Sequence, residues 1–181
     1  MSRRSVLVGF LASAGVGLQP GCGVTSRSSG FNLDVVLDLG ELGRAEAAGE
    51  RFHRFEDNEA PGWLVAFPAA LVQSFGGIAH ASLVEGARAG WIALQAKCPH
   101  LGCADIAPCE SSGWFECQCC ESRFTRWGEV RRGPALQGMH MFALGVDKES
   151  VVINTGLVTP GFAMGLGDFS GHEPEGPHCI S

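Results

Sequence analysis

The chain has 181 residues, of which 45% are hydrophobic, so it can form one domain with a sizeable core. Only 18% of its residues are charged and 26 are Gly, a composition that favours a loop-rich β protein over a helical bundle. The formal net charge is −6 at pH 7 and no basic run alternates with aromatic residues, so we expect no nucleic-acid partner. Eight Cys residues are too many to be incidental in a chain of this length.

The N-terminal residues 1–21 predict a twin-arginine export signal. Two adjacent Arg residues precede an apolar run at 6–18, which spans 13 residues and is shorter than the ~20 needed to cross a bilayer. Cys22, which follows a Gly, is a candidate for lipidation, and the Ser- and Gly-rich residues 22–30 would then form a membrane tether. The expected location is the periplasm, at the outer face of the bacterial cytoplasmic membrane.

Residues 31–157 predict a β-rich domain. Apolar and polar residues alternate over 33–39, which indicates a half-buried strand. Further short apolar runs, separated by Gly, Pro and Asp, predict additional strands of a sandwich or barrel. These runs are Trp63–Phe67, Ile78–Leu83, Trp91–Ala96, Phe142–Val146 and Val151–Asn154. Only residues 69–75 predict a helix, and the Gly- and Pro-rich residues 158–181 predict an irregular tail.

Two short Cys-rich segments carry the chemical information in this sequence. The first is Cys-Pro-His-Leu-Gly-Cys at 98–103, and the second is Cys-Gln-Cys-Cys-Glu-Ser-Arg-Phe at 117–124. A Cys and a His two residues apart in a tight, Gly-containing loop can place a thiolate beside an imidazole. Two such loops facing each other would form a four-ligand metal site with a sulfur side and a nitrogen side.

The two segments resemble the cluster-binding boxes of Rieske [2Fe–2S] proteins, and residues 128–135 resemble the strand and proline loop that cover the cluster in that family. The resemblance extends over residues 31–157, with the cluster-binding part at about 97–136. It implies an all-β Rieske iron–sulfur domain, an antiparallel β-sandwich or barrel with cluster-binding loops. The second box departs from the family pattern, which has His followed by Gly where this chain has Cys120 and Glu121.

The resemblance implies two protein ligands for each iron of a [2Fe–2S] cluster. By position, Cys98 and Cys117 correspond to the thiolate ligands of one iron, and His100 corresponds to one imidazole ligand of the other. Cys120 lies where the second imidazole belongs, and Cys is itself a competent iron ligand. We therefore expect a Rieske-like cluster with three Cys ligands and one His ligand.

Four further residues acquire roles from the same resemblance. Ser122 corresponds to a hydroxyl that donates a hydrogen bond to a cluster sulfur and raises the reduction potential. Pro134 belongs to the covering loop. Cys103 and Cys119 correspond to the disulfide pair that joins the two boxes in the family.

Two Cys residues are left after these assignments. Cys109 lies between the boxes and Cys179 lies near the C-terminus. Oxidising surroundings disfavour free thiols, so a second disulfide that pins the tail over the domain is one interpretation. Two separate thiols are the other.

The function that the resemblance implies is one-electron transfer, as the iron–sulfur subunit of a membrane-associated oxidoreductase similar to quinol:cytochrome c reductase. Its partners would be an integral membrane cytochrome or quinol-oxidising complex and a c-type cytochrome. It would be an electron-transfer subunit rather than an enzyme by itself, and no catalytic residues are assigned. Three alternatives remain: the small subunit of an arsenite-oxidase-like molybdenum enzyme, a Rieske-fold docking subunit without a cluster, and a zinc site with three Cys ligands and one His.

Overall fold

The computed structural model describes residues 27–29, 32–57, 60–104, 106–167 and 169–180. The predicted export signal and Cys22 lie outside the described residues, so their roles stay predictions. Within the described ranges, no helix has the length and apolar character that crossing a bilayer requires.

The described strands form two antiparallel sheets. The large sheet contains β1 (Arg27–Ser29), β2 (Asn32–Asp38), β3 (His53–Phe55), β4 (Gly62–Ala66), β5 (Trp91–Gln95), β10 (Met141–Val146) and β11 (Ser150–Thr159), in the order β1-β2-β11-β10-β5-β4-β3. The small sheet contains β6 (Ala107–Cys109), β7 (Trp114–Glu116), β8 (Arg123–Phe124) and β9 (Val130–Arg132), in that order. The predicted antiparallel all-β architecture is confirmed.

The alternating residues 33–39 lie mostly in β2, which pairs with β11 in a register that places Val35 opposite Ile153. Both side chains are buried in a core cluster on one face of the large sheet. Successive side chains of a strand point to opposite faces, so Val35 is buried in the core and Leu37 packs partly buried against the same cluster, while Asp38 is exposed.

Two predictions about helices are wrong. The apolar run at 78–83 predicts a strand, but α3 occupies Ala81–Arg88, beginning after His80, whose ring accepts the Ser82 N–H. The prediction of a helical segment at 69–75 is confirmed, but the prediction that it is the only helix is wrong. That segment forms a 3₁₀ turn (Ala69–Leu71) and α2 (Val72–Gly76), and α1 (Leu39–Ala47) is a further helix.

The reason for both errors is local capping combined with tertiary packing. The Asp38 carboxylate accepts the Glu41 N–H at 2.8 Å and so begins α1. In α3, Leu83 and Ala87 are buried and lie one turn apart, a helical spacing that the short apolar run did not reveal. A side chain at Gly86 would place its Cβ 2.6 Å from Leu144, so α3 packs closely on β10.

Two Trp side chains join the small sheet to the large one. Trp63 in β4 donates its indole N–H to the carbonyl of Ile106 at 2.9 Å, and Trp127 donates to the carbonyl of Ala66 at 3.1 Å. Phe115 is fully buried between the sheets. The small sheet, which carries both Cys-rich loops, is therefore held on a rigid support.

The C-terminal residues cross the small sheet and are held there by two buried carboxylates. β11 continues through Thr159, two residues into the expected tail. Glu129 accepts the consecutive N–H groups of Phe169 (2.6 Å) and Ser170 (3.2 Å). Glu116 accepts those of Cys179 (3.0 Å) and Ile180 (2.9 Å). This C-terminal segment, residues 160–180, is thus attached to the small sheet at two points.

Candidate metal centre

The first Cys-rich loop joins β5 to β6 and closes on itself. The Cys98 N–H donates to the carbonyl of Cys103, and the Gly102 N–H donates to the carbonyl of Cys98, both at 2.9 Å. Gly102 has φ +74°, a conformation that Gly adopts without steric cost. The sequence folds into a tight turn here because its fifth residue is Gly.

The second Cys-rich loop joins β7 to β8 and has the same hydrogen bonds. The Cys117 N–H donates to the carbonyl of Ser122 at 2.9 Å, and the Glu121 N–H donates to the carbonyl of Cys117 at 2.8 Å. Glu121 has φ +58°. The chain therefore builds two matching loops, and in the second a Glu adopts the left-handed conformation.

The two loops bring three Cys side chains together. The ligand atoms of Cys98, Cys117 and Cys120 all lie within 4.8 Å of one another, and the Sγ atoms of Cys98 and Cys120 are 3.5 Å apart. Cys98 and Cys117 are buried, and Cys120 is half-buried. The structure thus assembles the three thiols that the sequence pattern assigns to the metal site.

Two of these thiols, Cys98 and Cys117, lie in surroundings that disfavour the thiolate. Burial raises the pKa of both, and main-chain groups of the same loops, at His100 for Cys98 and at Cys119 and Cys120 for Cys117, offset burial only in part. A positive centre beside these thiols would favour their ionisation.

Cys120 has the opposite electrostatic character. Partial burial opposes its ionisation, but its contacts with Ser122 and with the neighbouring thiols outweigh burial and lower the pKa of Cys120 to about 7. The Cys120 Sγ and Ser122 Oγ atoms are 3.1 Å apart, and Ser122 is fully buried. Ser122 therefore contacts the thiol at position 120, which is the position of an imidazole in the family pattern.

The covering loop packs against Ser122. The Ala135 N–H donates to the Ser122 hydroxyl at 3.1 Å. Gly133 has φ +104°, and a Cβ at this position would lie 2.7 Å from that hydroxyl. Pro134 itself is exposed at the surface of this loop. A side chain at 133 would push the loop away from the thiols, so Gly is required here.

His100 is separate from the three thiols. It is exposed, and among the described residues it belongs to no group of three or more ligand atoms within 4.8 Å of one another. The neighbouring Leu101 is 78% exposed. The structure therefore brings together the three sulfur ligands of the expected set and leaves the imidazole at the surface.

The remaining Cys residues form two pairs. Cys103 and Cys119 have ligand atoms within 4.8 Å of each other and both are thiols; their contact raises the pKa of Cys119 to about 11. A bridge between them stays a prediction. Cys109 and Cys179 are joined in a disulfide, with Cα atoms 5.7 Å apart. The two interpretations of that pair were a second disulfide and two separate thiols, and the structure has the disulfide.

One contact of the covering loop was not anticipated from sequence. The Gly138 N–H donates to the carbonyl of Phe162 at 2.7 Å, and the Met164 N–H donates to that of Leu136 at 2.9 Å. The C-terminal segment therefore supports the loop from behind. The sequence signal for this contact was a pair of glycines, because Gly161 packs directly on the Gly138 backbone.

Comparison with known proteins agrees with this geometry. Residues 71–143 match the family model of the Rieske [2Fe-2S] domain. This part of the chain is a Rieske domain. The predicted family and fold class are thereby confirmed, and the matched residues include both Cys-rich loops and the covering loop.

Relatives of the Rieske domain come from several sources. The chain is 35% identical over 100 residues to the cytochrome b6-f complex iron-sulfur subunit of Synechococcus sp. (strain WH7803), covering 52% of this chain and 55% of that one. It is 33% identical over 63 residues to the mitochondrial Rieske subunit of the cytochrome b-c1 complex of Mus musculus, covering 35% and 23%. The chain thus spans about half the length of the cyanobacterial relative.

A similar solved structure is the cyanobacterial plasma membrane Rieske protein PetC3 from Synechocystis PCC 6803. The match covers 65% of this chain and 98% of that one, with 19% identity and a TM-score of 0.46.

The donor set of the Rieske domain suits a thiophilic metal group. Three thiols converge beside the covering loop, and the Ser122 hydroxyl lies 3.1 Å from one of them, Cys120. Thiolates are the ligands of iron–sulfur clusters, and hydrogen bonds to sulfur tune their potentials. The side chains present therefore fit the cluster that a Rieske domain implies.

Proposed function

We propose that this chain is a one-electron carrier with a Rieske-like [2Fe–2S] cluster, held by Cys98, His100, Cys117 and Cys120. The observation that carries the proposal is the convergence of the Cys98, Cys117 and Cys120 thiols within 4.8 Å. When bound, the cluster supplies reversible one-electron chemistry and no bond-making step. His100, which is exposed, completes the set from the surface side.

The chain's own residues set the potential in opposite directions. Main-chain groups beside Cys98 and Cys117 and the hydroxyl of Ser122 stabilise extra negative charge on sulfur and so raise the potential. A thiolate at position 120 in place of a neutral imidazole adds one negative charge and lowers it. Formal charge is the larger effect, so the expected potential lies below about −150 mV and above about −400 mV, between the Rieske and plant-type classes.

The partner we propose is an integral membrane cytochrome complex that oxidises quinol, with a c-type cytochrome as electron acceptor. Support comes from the relatives, which are subunits of cytochrome b6-f and b-c1 complexes. We further propose that the chain is exported and tethered at the periplasmic face of the membrane through Cys22. In such a complex it would be an electron-transfer subunit.

The residue at position 120 limits what this subunit can do with quinol. An imidazole ligand at the surface can accept a hydrogen bond and a proton from quinol, whereas a ligating thiolate is a poor substitute. We therefore propose that direct quinol oxidation is impaired and that the subunit relays electrons or assists assembly. Rapid, inhibitor-sensitive reduction of the cluster by quinol in the assembled complex would overturn this point.

The test of the main proposal is metal analysis of the full chain purified without oxygen. We expect iron and acid-labile sulfide in equal amounts and an electron paramagnetic resonance signal after reduction. Cys120→His should raise the potential by on the order of 100 mV or more, from the gap between the two cluster classes. Cys179→Ser, which removes a thiol outside the two Cys-rich loops, is the control for a Cys-to-Ser change and should keep the spectrum.

Three results would contradict the proposal. Protein without metal would instead indicate a docking subunit that has lost its cluster. Zinc without iron would indicate a structural ion site. An intact cluster whose spectrum and potential are unchanged in Cys120→Ala would show that Cys120 is not a ligand.

A further inference from the structure

The end of the C-terminal segment lies on the neck of the second Cys-rich loop, which consists of Glu116 and Arg123. Glu116 directly precedes the loop and Arg123 directly follows it, and the two residues are cross-strand partners in β7 and β8. Cross-strand partners point their side chains to the same face of a sheet. Both side chains are buried, and both contact the last residues of the C-terminal segment.

Glu116 receives most of its hydrogen bonds from the chain end. Its Oε2 atom accepts the N–H groups of Cys179 and Ile180, and its Oε1 atom lies 2.7 Å from Nδ1 of His178. A fourth contact, at 3.2 Å, comes from the Ser112 hydroxyl. A buried carboxylate that loses its donors is destabilised. The neck therefore needs residues 178–180 in place.

Arg123 makes the same connection from the other strand. Its guanidinium donates to the carbonyl of Ile180 at 2.7 Å. The next rung of this hairpin is the hydrogen bond from the Cys117 N–H to the carbonyl of Ser122, at 2.9 Å, which closes the loop. The chain end thus connects the two strands that carry the loop with Cys117 and Cys120.

A disulfide fixes the chain end in this position. Cys179 is bonded to Cys109, the last residue of β6. The segment is attached separately at Glu175, whose N–H donates to the carbonyl of Ser112 at 2.9 Å. Without the disulfide, residues 176–180 would be a short chain end held by non-covalent contacts alone. Chain ends are poorly ordered unless they are tied down.

We propose that residues 178–180 are a clamp that keeps the second Cys-rich loop closed, and that thiol–disulfide exchange with a dithiol at Cys179 releases this clamp. Cys179 is exposed and Cys109 is buried, so an incoming thiolate reaches the sulfur of Cys179. Glu116 and Arg123 are positioning residues that transmit the release to the loop. The inference concerns the loop itself and does not depend on the electron-carrier proposal.

The exchange step balances with the dithiol as the reductant. A thiolate of the dithiol attacks the Cys179 sulfur, the bond between Cys179 and Cys109 breaks, and Cys109 leaves as a thiolate that takes up a proton. The second thiol of the dithiol then attacks the mixed disulfide and releases Cys179. The protein disulfide gains two electrons and two protons, and the dithiol loses them as it becomes a disulfide.

Release of the clamp changes how often the loop opens. The neck loses three of the donors of a buried carboxylate and the acceptor of a buried guanidinium, so local opening of residues 117–122 becomes more frequent. The closed conformation stays the same and remains the major one. The spectrum of a group bound there would therefore be kept, while the protection of the loop amides falls.

The test is amide hydrogen exchange of the full chain as purified, followed by NMR with and without dithiothreitol. The N–H groups of Cys117 and Glu121 bond within the loop, so their exchange reports its opening. In Cys179→Ser without dithiothreitol, both amides should exchange roughly tenfold faster or more than in the parent, the factor that hydrogen bonds to a charged group represent.

The response to dithiothreitol is compared between the parent and Cys179→Ser. A bridge between Cys103 and Cys119 would respond to the reductant equally in both proteins. The larger increase in exchange that we expect in the parent therefore belongs to the bond between Cys109 and Cys179. Peptide mapping of the parent should show that dithiothreitol has opened this bond.

Matched Arg variants separate the clamp from general attachment of the C-terminal segment. Arg123→Met removes the donor to Ile180, keeps the disulfide and should speed exchange at Cys117, whereas Arg123→Lys, which can still donate, should restore protection. Arg51→Met is the control: Arg51 pairs with Glu175, elsewhere on the same segment, so exchange in the loop should stay unchanged. Circular dichroism establishes that each variant is folded.

Three outcomes would overturn the inference. One is equal exchange of the Cys117 and Glu121 amides in the parent and in folded Cys179→Ser. Another is an equal increase in Arg51→Met and Arg123→Met. The third is a bond between Cys109 and Cys179 that stays intact in dithiothreitol while the chain is folded. Iron and sulfide analysis tests the electron-carrier proposal separately, so the two can fail independently.

Discussion

Gly102 and Glu121 occupy equivalent positions in the two Cys-rich loops. Each is the fifth residue of a six-residue turn, each donates its N–H to the carbonyl of the first Cys, and each has a positive φ, +74° and +58°. Only the first is Gly. A non-Gly residue in the left-handed conformation costs about 1–2 kcal/mol, so the second loop carries strain that the first does not.

The first prediction concerns this strain. Glu121→Gly should raise the free energy of unfolding by up to ~1 kcal/mol, because relief of strain exceeds the added entropy of the unfolded chain. Glu121→Val should lower it, since a β-branched residue tolerates this conformation poorly. Urea unfolding of the cluster-free chain measures both. Equal stability of the Gly and Val variants would show that residue 121 leaves the left-handed conformation in solution.

The second prediction concerns the hydroxyl that contacts Cys120. Ser122→Ala removes the side-chain hydrogen bond that helps lower the pKa of Cys120 to about 7, so that pKa should rise towards the ordinary 9.0. At pH 7 about half of Cys120 is thiolate in the parent chain, and the variant should have much less. Alkylation rates at Cys120, followed by peptide mapping between pH 6 and 9, give the pKa. An unchanged profile would mean that the Ser122 hydroxyl donates elsewhere, for example to a solvent molecule.

The third prediction concerns the buried carboxylate of Glu116. Glu116→Ala removes both carboxylate oxygens: Oε2 accepts the N–H groups of Cys179 and Ile180, and Oε1 accepts the Ser112 hydroxyl. The free energy of unfolding should fall by about 2–3 kcal/mol, the usual loss for a buried charged acceptor. Glu110→Ala is the control: Glu110 is exposed and pairs with Arg51 at the surface, so its loss should be below about 1 kcal/mol.

Hydrogen exchange gives the local readout of the same change. The amides of Cys179 and Ile180 should lose protection in Glu116→Ala and keep it in Glu110→Ala. Retained protection of both amides in Glu116→Ala would show that other contacts, the disulfide among them, hold the end of the C-terminal segment.

The fourth prediction concerns that disulfide. Cys109 and Cys179 are separated by 70 residues, so their bridge closes a long loop. Cys179→Ser should lower the free energy of unfolding by up to about 4 kcal/mol, because the bridge reduces the conformational entropy of the unfolded chain. Cys179→Ala, which opens the same bridge, is the matched variant and should give the same loss. Thermal unfolding of the parent chain and both variants without reductant measures the effect, and equal stability of all three would contradict the prediction.

The fifth prediction concerns pH. Burial lowers the pKa of His53, and burial and the nearby Arg126 lower the pKa of His172, both below the ordinary 6.5. The pKa of each imidazole is lower in the folded chain than in the unfolded chain. The contribution of these groups to the free energy of unfolding is therefore fully present above about pH 6.5 and is lost as the pH falls towards their folded-state pKa values. Urea unfolding should therefore give a lower free energy of unfolding at pH 5.5 than at pH 7.5.

A variant isolates the contribution of His53. Its Nε2 atom is buried without a hydrogen-bond partner among the described residues, and its ring lies edge-on to Trp91. His53→Phe keeps the ring and removes the titration, so it should reduce the difference between the two pH values. An equal difference in the variant would assign the pH dependence to other groups.

Much of the site could be predicted from sequence because its signals are local. The spacing of Cys98, His100 and Gly102 defines a tight loop with its turn residue in place, and the second segment repeats the pattern with Cys120 and Ser122. Period-two alternation likewise located β2. In each case the chemistry and the backbone conformation are set by residues within six positions of one another.

The sequence by itself therefore determined three things: the resemblance to the Rieske family, the strands with regular alternation and the set of candidate ligands. Only the tertiary structure decided that Cys120 lies 3.5 Å from Cys98 while His100 is exposed, because that distance depends on how two loops 14 residues apart are docked on the small sheet. It also decided that Glu116 receives the C-terminal segment. Neither contact has a local signal, since each forms between groups that only the packed fold brings within hydrogen-bonding or ligand distance.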